Sequence, residues 1–132
     1  MFNLSRRTNY GLELMLYLAK DKTKKPISLK EIAKKKKLPL KYLEQVALKL
    51  KEVGFLVSKE GKGGGYILAF KPKEITVAEI VEVLEGPVEV GSCAGCPSAS
   101  LCGQKTVWQD LGEKVRETME AKTLEDMIKD EK

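Results

Sequence analysis

The chain has 132 residues, 42% apolar and 33% charged, with three cysteines, no histidine and a formal net charge of +5, which suits one domain with a modest core. No run approaches the roughly 18 apolar residues of a membrane span, and the opening MFNLSRRTNYG lacks a signal-peptide core, so the chain is expected in the cytoplasm with no membrane partner. Without histidine there is no Ser-His-Asp or Cys-His arrangement, and no paired carboxylates mark a cleft, so the sequence does not read as an enzyme.

Residues 5–20 read as a first helix, with Leu12, Met15, Leu16, Leu18 and Ala19 giving a broad apolar face. After a polar break, Ser28 and Glu31 have capping-box spacing, and Ile27 and Ile32 occupy the hydrophobic-staple positions. A short second helix therefore starts at Leu29. It runs into the lysines at 34–37, where the helix dipole favours cations, and Leu38-Pro39 stops it. A third helix covers residues 40–53 and closes at Gly54. Leu43, Val46, Ala47 and Leu50 share its inner face, which turns Lys41, Gln45 and Glu52 outward with Glu44 and Lys49 on the flanks. Two helices joined by a short turn, the second polar on its outer side, describe a helix-turn-helix.

Residues 55–59 and 66–70 then read as two strands around the glycine-rich tip 60–65, the shape of a wing. A nucleotide P-loop would need a Gly-Lys-Ser/Thr order opening a helix, whereas a strand-like run follows these glycines. In a wing, Gly63 and Gly64 allow close approach to a sugar-phosphate backbone, and Lys59 and Lys62 supply charge. Thr76 and Glu79 repeat the capping box, with Ile75 and Ile80 as its staple, so a fourth helix runs to Glu85 and ends at Gly86-Pro87. From Gln104, the positions Val107, Leu111 and Val115, with Trp108 and Met119 alongside, form an amphipathic helix whose stripe calls for a partner, and Thr123 caps a short last helix. The expected fold is mainly α with a small β-hairpin: a winged helix-turn-helix region over 1–86, a cysteine-bearing loop over 87–103, and a dimerisation helix with its tail over 104–132.

Charge follows the same division. Residues 1–73 carry 18 Lys and Arg against 6 Asp and Glu, whereas residues 74–132 carry 6 against 13. A basic N-terminal half is the footprint of a polyanion binder, and the acidic half should stay away from that polyanion. The candidate contacts to double-stranded DNA are Ser28, Leu40, Lys41, Tyr42, Glu44, Gln45 and Lys49, with Lys59, Lys62, Gly63 and Gly64 from the wing. Gln45 can pair bidentately with adenine and Glu44 can accept from cytosine, while Lys49 suits phosphate.

Cys93, Cys96 and Cys102 are the chain's three cysteines, and they fall within ten residues of one another in a Gly/Pro/Ser-rich loop. In a reducing cytosol such clustering points to metal ligands or redox-active thiols rather than a structural disulfide. Soft thiolates suit an iron-sulfur cluster, whereas a closed zinc site wants a fourth ligand and the usual histidine is missing. Zinc binding and a metal-free thiol switch remain alternatives.

The order of helix, helix-turn-helix, wing, cysteine loop and long helix resembles the bacterial winged-helix regulators that include the iron-sulfur regulator IscR and the nitric-oxide sensor NsrR. The resemblance rests on Tyr42-Leu43-Glu44-Gln45, Gly63-Gly64-Gly65-Tyr66, the three cysteines and Trp108, in order over nearly the whole chain. It implies a homodimer with the third helix in the major groove and the wing in the minor groove. It also implies that an iron-sulfur cluster, 2Fe-2S or 4Fe-4S, is held by Cys93, Cys96 and Cys102 and tunes DNA binding. Better-known members space their cysteines C-x5-C-x5-C, while this chain has C-x2-C-x5-C. Lys105 stands where some members place a ligating histidine, and Glu60 where cluster regulators often have arginine. Other members take the fourth ligand from the partner's first helix, where this chain offers Asn9 or, one turn on, Glu13.

Overall fold

Helix α1 (Arg6–Lys20) begins at Ser5, whose hydroxyl accepts from the Thr8 N–H at 3.3 Å. The computed structural model describes residues 4–87 and 103–130. After α1 come α2 (Leu29–Lys36), α3 (Leu40–Glu52), strands β1 (Leu56–Lys59) and β2 (Gly65–Leu68), a 3-10 turn (Pro72–Glu74), α4 (Val77–Glu85), α5 (Lys105–Ala121) and α6 (Leu124–Asp130). This is the mainly α, winged-helix arrangement that the sequence predicts.

Helix α1 buries Thr8, Gly11, Leu14, Met15, Leu16 and Leu18, while Leu12 and Ala19 are only half-buried. A single apolar stripe undercounts this helix because it packs on α3, α4, α6 and β2. A methyl group at Gly11 would collide with the Leu84 side chain, so α1 and α4 approach closely there.

The two helices of the helix-turn-helix end as their sequences dictate. The Ser28 hydroxyl accepts from the Glu31 N–H at 3.2 Å, and α2 stops with Lys37 in the left-handed region at φ 56°. Leu43, Val46, Ala47 and Leu50 carry α3 into the core with no exposed surface, and Gly54 takes φ +90° just past its end.

Strands β1 and β2 pair antiparallel, with Leu56 opposite Leu68 and Lys59 opposite Gly65. The second strand is shorter than its β-prone sequence suggests, because Phe70 leaves the ladder and sets its ring edge-on against Phe55 at 6.5 Å. A third piece joins this sheet. Ile27 and Tyr66 exchange two backbone hydrogen bonds, at 3.1 and 2.9 Å, so the residue before α2 is tied to the wing. Any Cβ at position 65 would strike the Ile27 carbonyl, which is why glycine occurs there.

The C-terminal part is stitched in the same way. Thr76 and Glu79 make both capping-box hydrogen bonds, at 3.2 and 3.3 Å. Beside them, Val77 donates to the Lys122 carbonyl at 2.8 Å and Leu124 to that of Ile75 at 3.0 Å. Thr123 caps α6 as expected, accepting from the Asp126 N–H at 3.2 Å. The tail does more than extend the chain, since Leu124 is fully buried in the core with Met127 and Ile128 packed against it.

Glu85, the last residue of α4, closes the fold over the start of α1. One carboxylate oxygen accepts from the Ser5 N–H at 2.6 Å and from the Thr8 hydroxyl at 2.7 Å. An anion thus sits at the positive end of α1, and the otherwise buried Thr8 hydroxyl is satisfied. These hydrogen bonds from Ser5 and Thr8 hold the Glu85 carboxyl below its ordinary pKa. A depressed carboxylate stabilises the fold above the ordinary carboxylate range, and that contribution fades as pH falls through the depressed value. Glu85→Gln is therefore expected to lower the urea-unfolding free energy at neutral pH by about 1 kcal/mol, a figure reduced for solvent exposure. The difference should start to shrink as pH falls below the ordinary carboxylate range of about 4 and be gone once pH is below the depressed value, and a gap that does not shrink as the protein is acidified would contradict the charge-based account.

Candidate nucleic-acid interface and cysteine segment

The outer side of α3 presents Lys41, Tyr42, Glu44, Gln45, Leu48 and Lys49 to solvent, with Leu40 half-buried at its start. Pro39 precedes the helix with no side-chain cap, and the first turn has no acidic residue, so no side chain caps its leading N–H groups. A helix start of this kind attracts phosphate. Tyr42 is 47% exposed, and its ring leans on Tyr10 of α1 at 5.8 Å, so it is half support and half surface. Ser28 is exposed, and its oxygen already caps α2, which leaves the hydroxyl proton available for donation.

At the wing tip the Gly64 N–H donates to the Gly61 carbonyl at 3.0 Å, closing a turn that leaves Lys62 and Gly63 exposed. A Cβ at Gly64 would strike the Lys59 carbonyl, so this tight tip excludes larger residues. Lys59 ends β1 and is also exposed.

Leu48 was not among the residues picked out from sequence. It is 54% exposed on α3, one turn beyond Glu44, and an apolar side chain there can meet a thymine methyl. The available signal was its position off the 43/46/47/50 stripe. The lysine run, conversely, is only partly free. Lys35 hydrogen-bonds the Tyr17 hydroxyl, which raises its pKa, and Lys36 lies 3.9 Å from Glu13. Two of the four cations thus serve α1, while Lys34 and Lys37 are exposed.

Cys93, Cys96 and Cys102 lie outside the described residues, as does most of the loop expected between α4 and α5. Its flanks are described. Before it stands Glu85 with its bonds to Ser5 and Thr8, and after it the Trp108 indole N–H donates to the Gln104 side chain at 3.3 Å. Asn9 is exposed on α1, and Glu13, one turn on, is half-buried with Lys36 nearby. Among the described residues no group of three Cys, Asp or Glu side chains is placed to hold a metal, and no helix is long and apolar enough to cross a membrane.

A helix-turn-helix whose outer helix starts with open N–H groups, followed by a glycine-tipped wing, is the architecture of a winged-helix regulator. The chain belongs to the Rrf2 family, described as "Iron-dependent Transcriptional regulator", whose pattern matches residues 4–130. It is 32% identical over 133 aligned positions to Protein rrf2 of Nitratidesulfovibrio vulgaris strain Hildenborough, covering 96% of this chain and 87% of that one. Its fold matches the solved structure of CymR, the global cysteine regulator of B. subtilis, with TM-score 0.86, 34% identity and full coverage of both chains. It also matches T. potens IscR with TM-score 0.82 and 34% identity, over 99% of this chain and 89% of that one. Membership makes the chain a DNA-binding transcriptional regulator, and relatives such as IscR and CymR are named as HTH-type transcriptional regulators.

Gln45 is exposed on α3 and Lys62 at the wing tip, so the base reading expected of one and the phosphate contact expected of the other can be tested separately. Gln45→Ala should weaken binding to the cognate operator by about 1 to 3 kcal/mol and leave random duplex almost unaffected. Lys62→Ala should weaken both and flatten the salt dependence of affinity. Fluorescence anisotropy at several salt concentrations reads both, and equal losses for Gln45→Ala on cognate and random DNA would remove it from the reading set.

Proposed function

We propose that the protein is a homodimeric DNA-binding regulator whose affinity for its operator is tuned by an iron-sulfur cluster held by Cys93, Cys96 and Cys102. The observation that carries this reading is the concentration of all three thiols in one short segment of a chain that belongs to a family described as iron-dependent. The donor chemistry fits. Three soft thiolates suit an iron-sulfur cluster with one non-cysteine ligand, whereas three thiols and no histidine are a poor set for closed tetrahedral zinc. Asn9 or Glu13 of a partner chain would supply the remaining position, and Glu13 would have to leave Lys36 to do so. When bound, the cluster would supply an iron reactive toward oxygen or nitric oxide.

The chain's own residues account for how such a segment could influence DNA binding. Glu85 ties the end of α4, just before the cysteine-bearing stretch, to Ser5 and Thr8 at the start of α1. Helix α1 in turn packs directly on α3. In this reading α3 and the wing contact DNA through Ser28, Leu40, Lys41, Tyr42, Glu44, Gln45, Lys49, Lys59, Lys62, Gly63 and Gly64. The second copy docks along α5, where Val107 and Leu111, one turn apart, are 57% and 44% exposed. The likeness to a cysteine regulator favours one alternative, a cluster-free regulator controlled by zinc, thiol oxidation or a protein partner.

Two measurements test the reading. Protein purified without oxygen should be brown and contain iron and sulfide that a Cys93/Cys96/Cys102→Ala variant lacks; colourless wild type that resists reconstitution would leave the cluster-free alternative. Leu111→Glu should convert a dimer to a monomer in sedimentation velocity, and a variant that stays dimeric would move the interface off this face of α5.

A further inference from the structure

Between the end of α1, the 21–27 connection, β2 and the 3-10 turn lies a cavity of about 420 Å³, within the range of small-molecule sites. Its lining is mainly apolar, with Leu18, Ile27, Leu68, Phe70 and Pro72 among its walls. Lys24, Lys25 and Lys71 also border it, and all three are exposed. Two carboxylates share this border, and both are already engaged. Asp21 accepts from the Thr23 hydroxyl at 2.8 Å and from its N–H at 3.0 Å, while Glu74 accepts from the Lys71 N–H at 3.1 Å. None of the three lysines makes an ion pair with a described residue. The site therefore offers an apolar pocket with unpaired cations around it.

We propose that this cavity binds a small amphipathic carboxylate of about ten heavy atoms. Its apolar tail lies against Leu18, Leu68 and Pro72, and its carboxylate is held among Lys24, Lys25 and Lys71. Three lysines against Asp21 and Glu74 leave the rim with a net charge of +1, which favours an anion over a cation, and the apolar walls favour a hydrocarbon tail over a sugar or a free phosphate. Among the described residues, none of α5 lines the cavity, so the site is separate from the proposed dimer face. Its walls nevertheless include Ile27 and Tyr66, the pair that ties the wing to the start of the helix-turn-helix. Occupancy thus bears on the DNA-binding elements without touching DNA.

Octanoate and octanamide, equal in tail and different in charge, are the probes. Titrated into the full ¹⁵N-labelled chain, octanoate should shift the backbone amide signals of residues 67–71 saturably. Octanamide should bind about tenfold more weakly, and a Lys24/Lys25/Lys71→Gln variant should lose the preference for the acid. Ala19→Phe, which fills the cavity, should abolish the shifts. The three lysines are exposed, so their replacement leaves the fold intact and the test decisive even if Ala19→Phe does not fold. No saturable shift, equal affinity for acid and amide, or shifts centred on Val107 and Leu111 would each overturn the proposal.

Discussion

Everything in this fold depends on α1 being packed on several sides at once. Leu14 and Met15 have no exposed surface, and the helix meets α3, α4, α6 and β2. A helix enclosed in this way cannot serve as one amphipathic wall of a two-layer structure; it is the shaft around which the others are set. Gly11 shows how tight the arrangement is, because a single methyl group there would run into Leu84. Close packing of this kind leaves little room for independent motion, so a displacement at one neighbour of α1 is felt by the rest.

What could be read from sequence was local. The Thr76 capping box, the apolar stripe of α3, Gly54 beyond its end and the glycine tip each depend on residues close in sequence and are found as expected, while at Ser28 only the half in which its hydroxyl accepts from the Glu31 N–H is made. What could not be read was pairing between distant segments. The Ile27–Tyr66 bridge, the Thr76–Thr123 bridge and the Glu85 contacts join residues 39, 47 and about 80 positions apart, and no periodicity announces them. Leu14 and Leu124 were missed for the same reason, since their burial comes from neighbours that only the assembled fold supplies.

The candidate interface was legible in part, and the differences have a common cause. A charge run says how many cations are present but not which way they point. Lys35 and Lys36 turn to Tyr17 and Glu13 of α1, so the lysine run stabilises a helix contact as well as contributing positive field. Leu48 escapes any search for polar readers because its chemistry is apolar, and only its exposure of 54% marks it. Tyr42 divides between both roles, since its ring makes a tilted contact with Tyr10 while it remains 47% exposed.

The two ends of α1 face different surroundings. At the N-terminal end Glu85 holds Ser5 and Thr8, immediately before the stretch that leads to the cysteines. At the C-terminal end Leu18 and Ala19 line the cavity beside β2. Between those ends the helix rests on α3, whose outer side carries the candidate base-reading residues. Leu43, Val46, Ala47 and Leu50 are fully buried beneath α3, and in a close-packed interior this helix tilts only if α1 and its other neighbours shift with it. A change at either end of α1 therefore has a short, packed route to the candidate DNA-binding surface, and the two routes enter α1 at places about three helical turns apart. On the two proposals made above, that separation would let the cluster and the carboxylate each act on the pose of α3 without occupying the other's site.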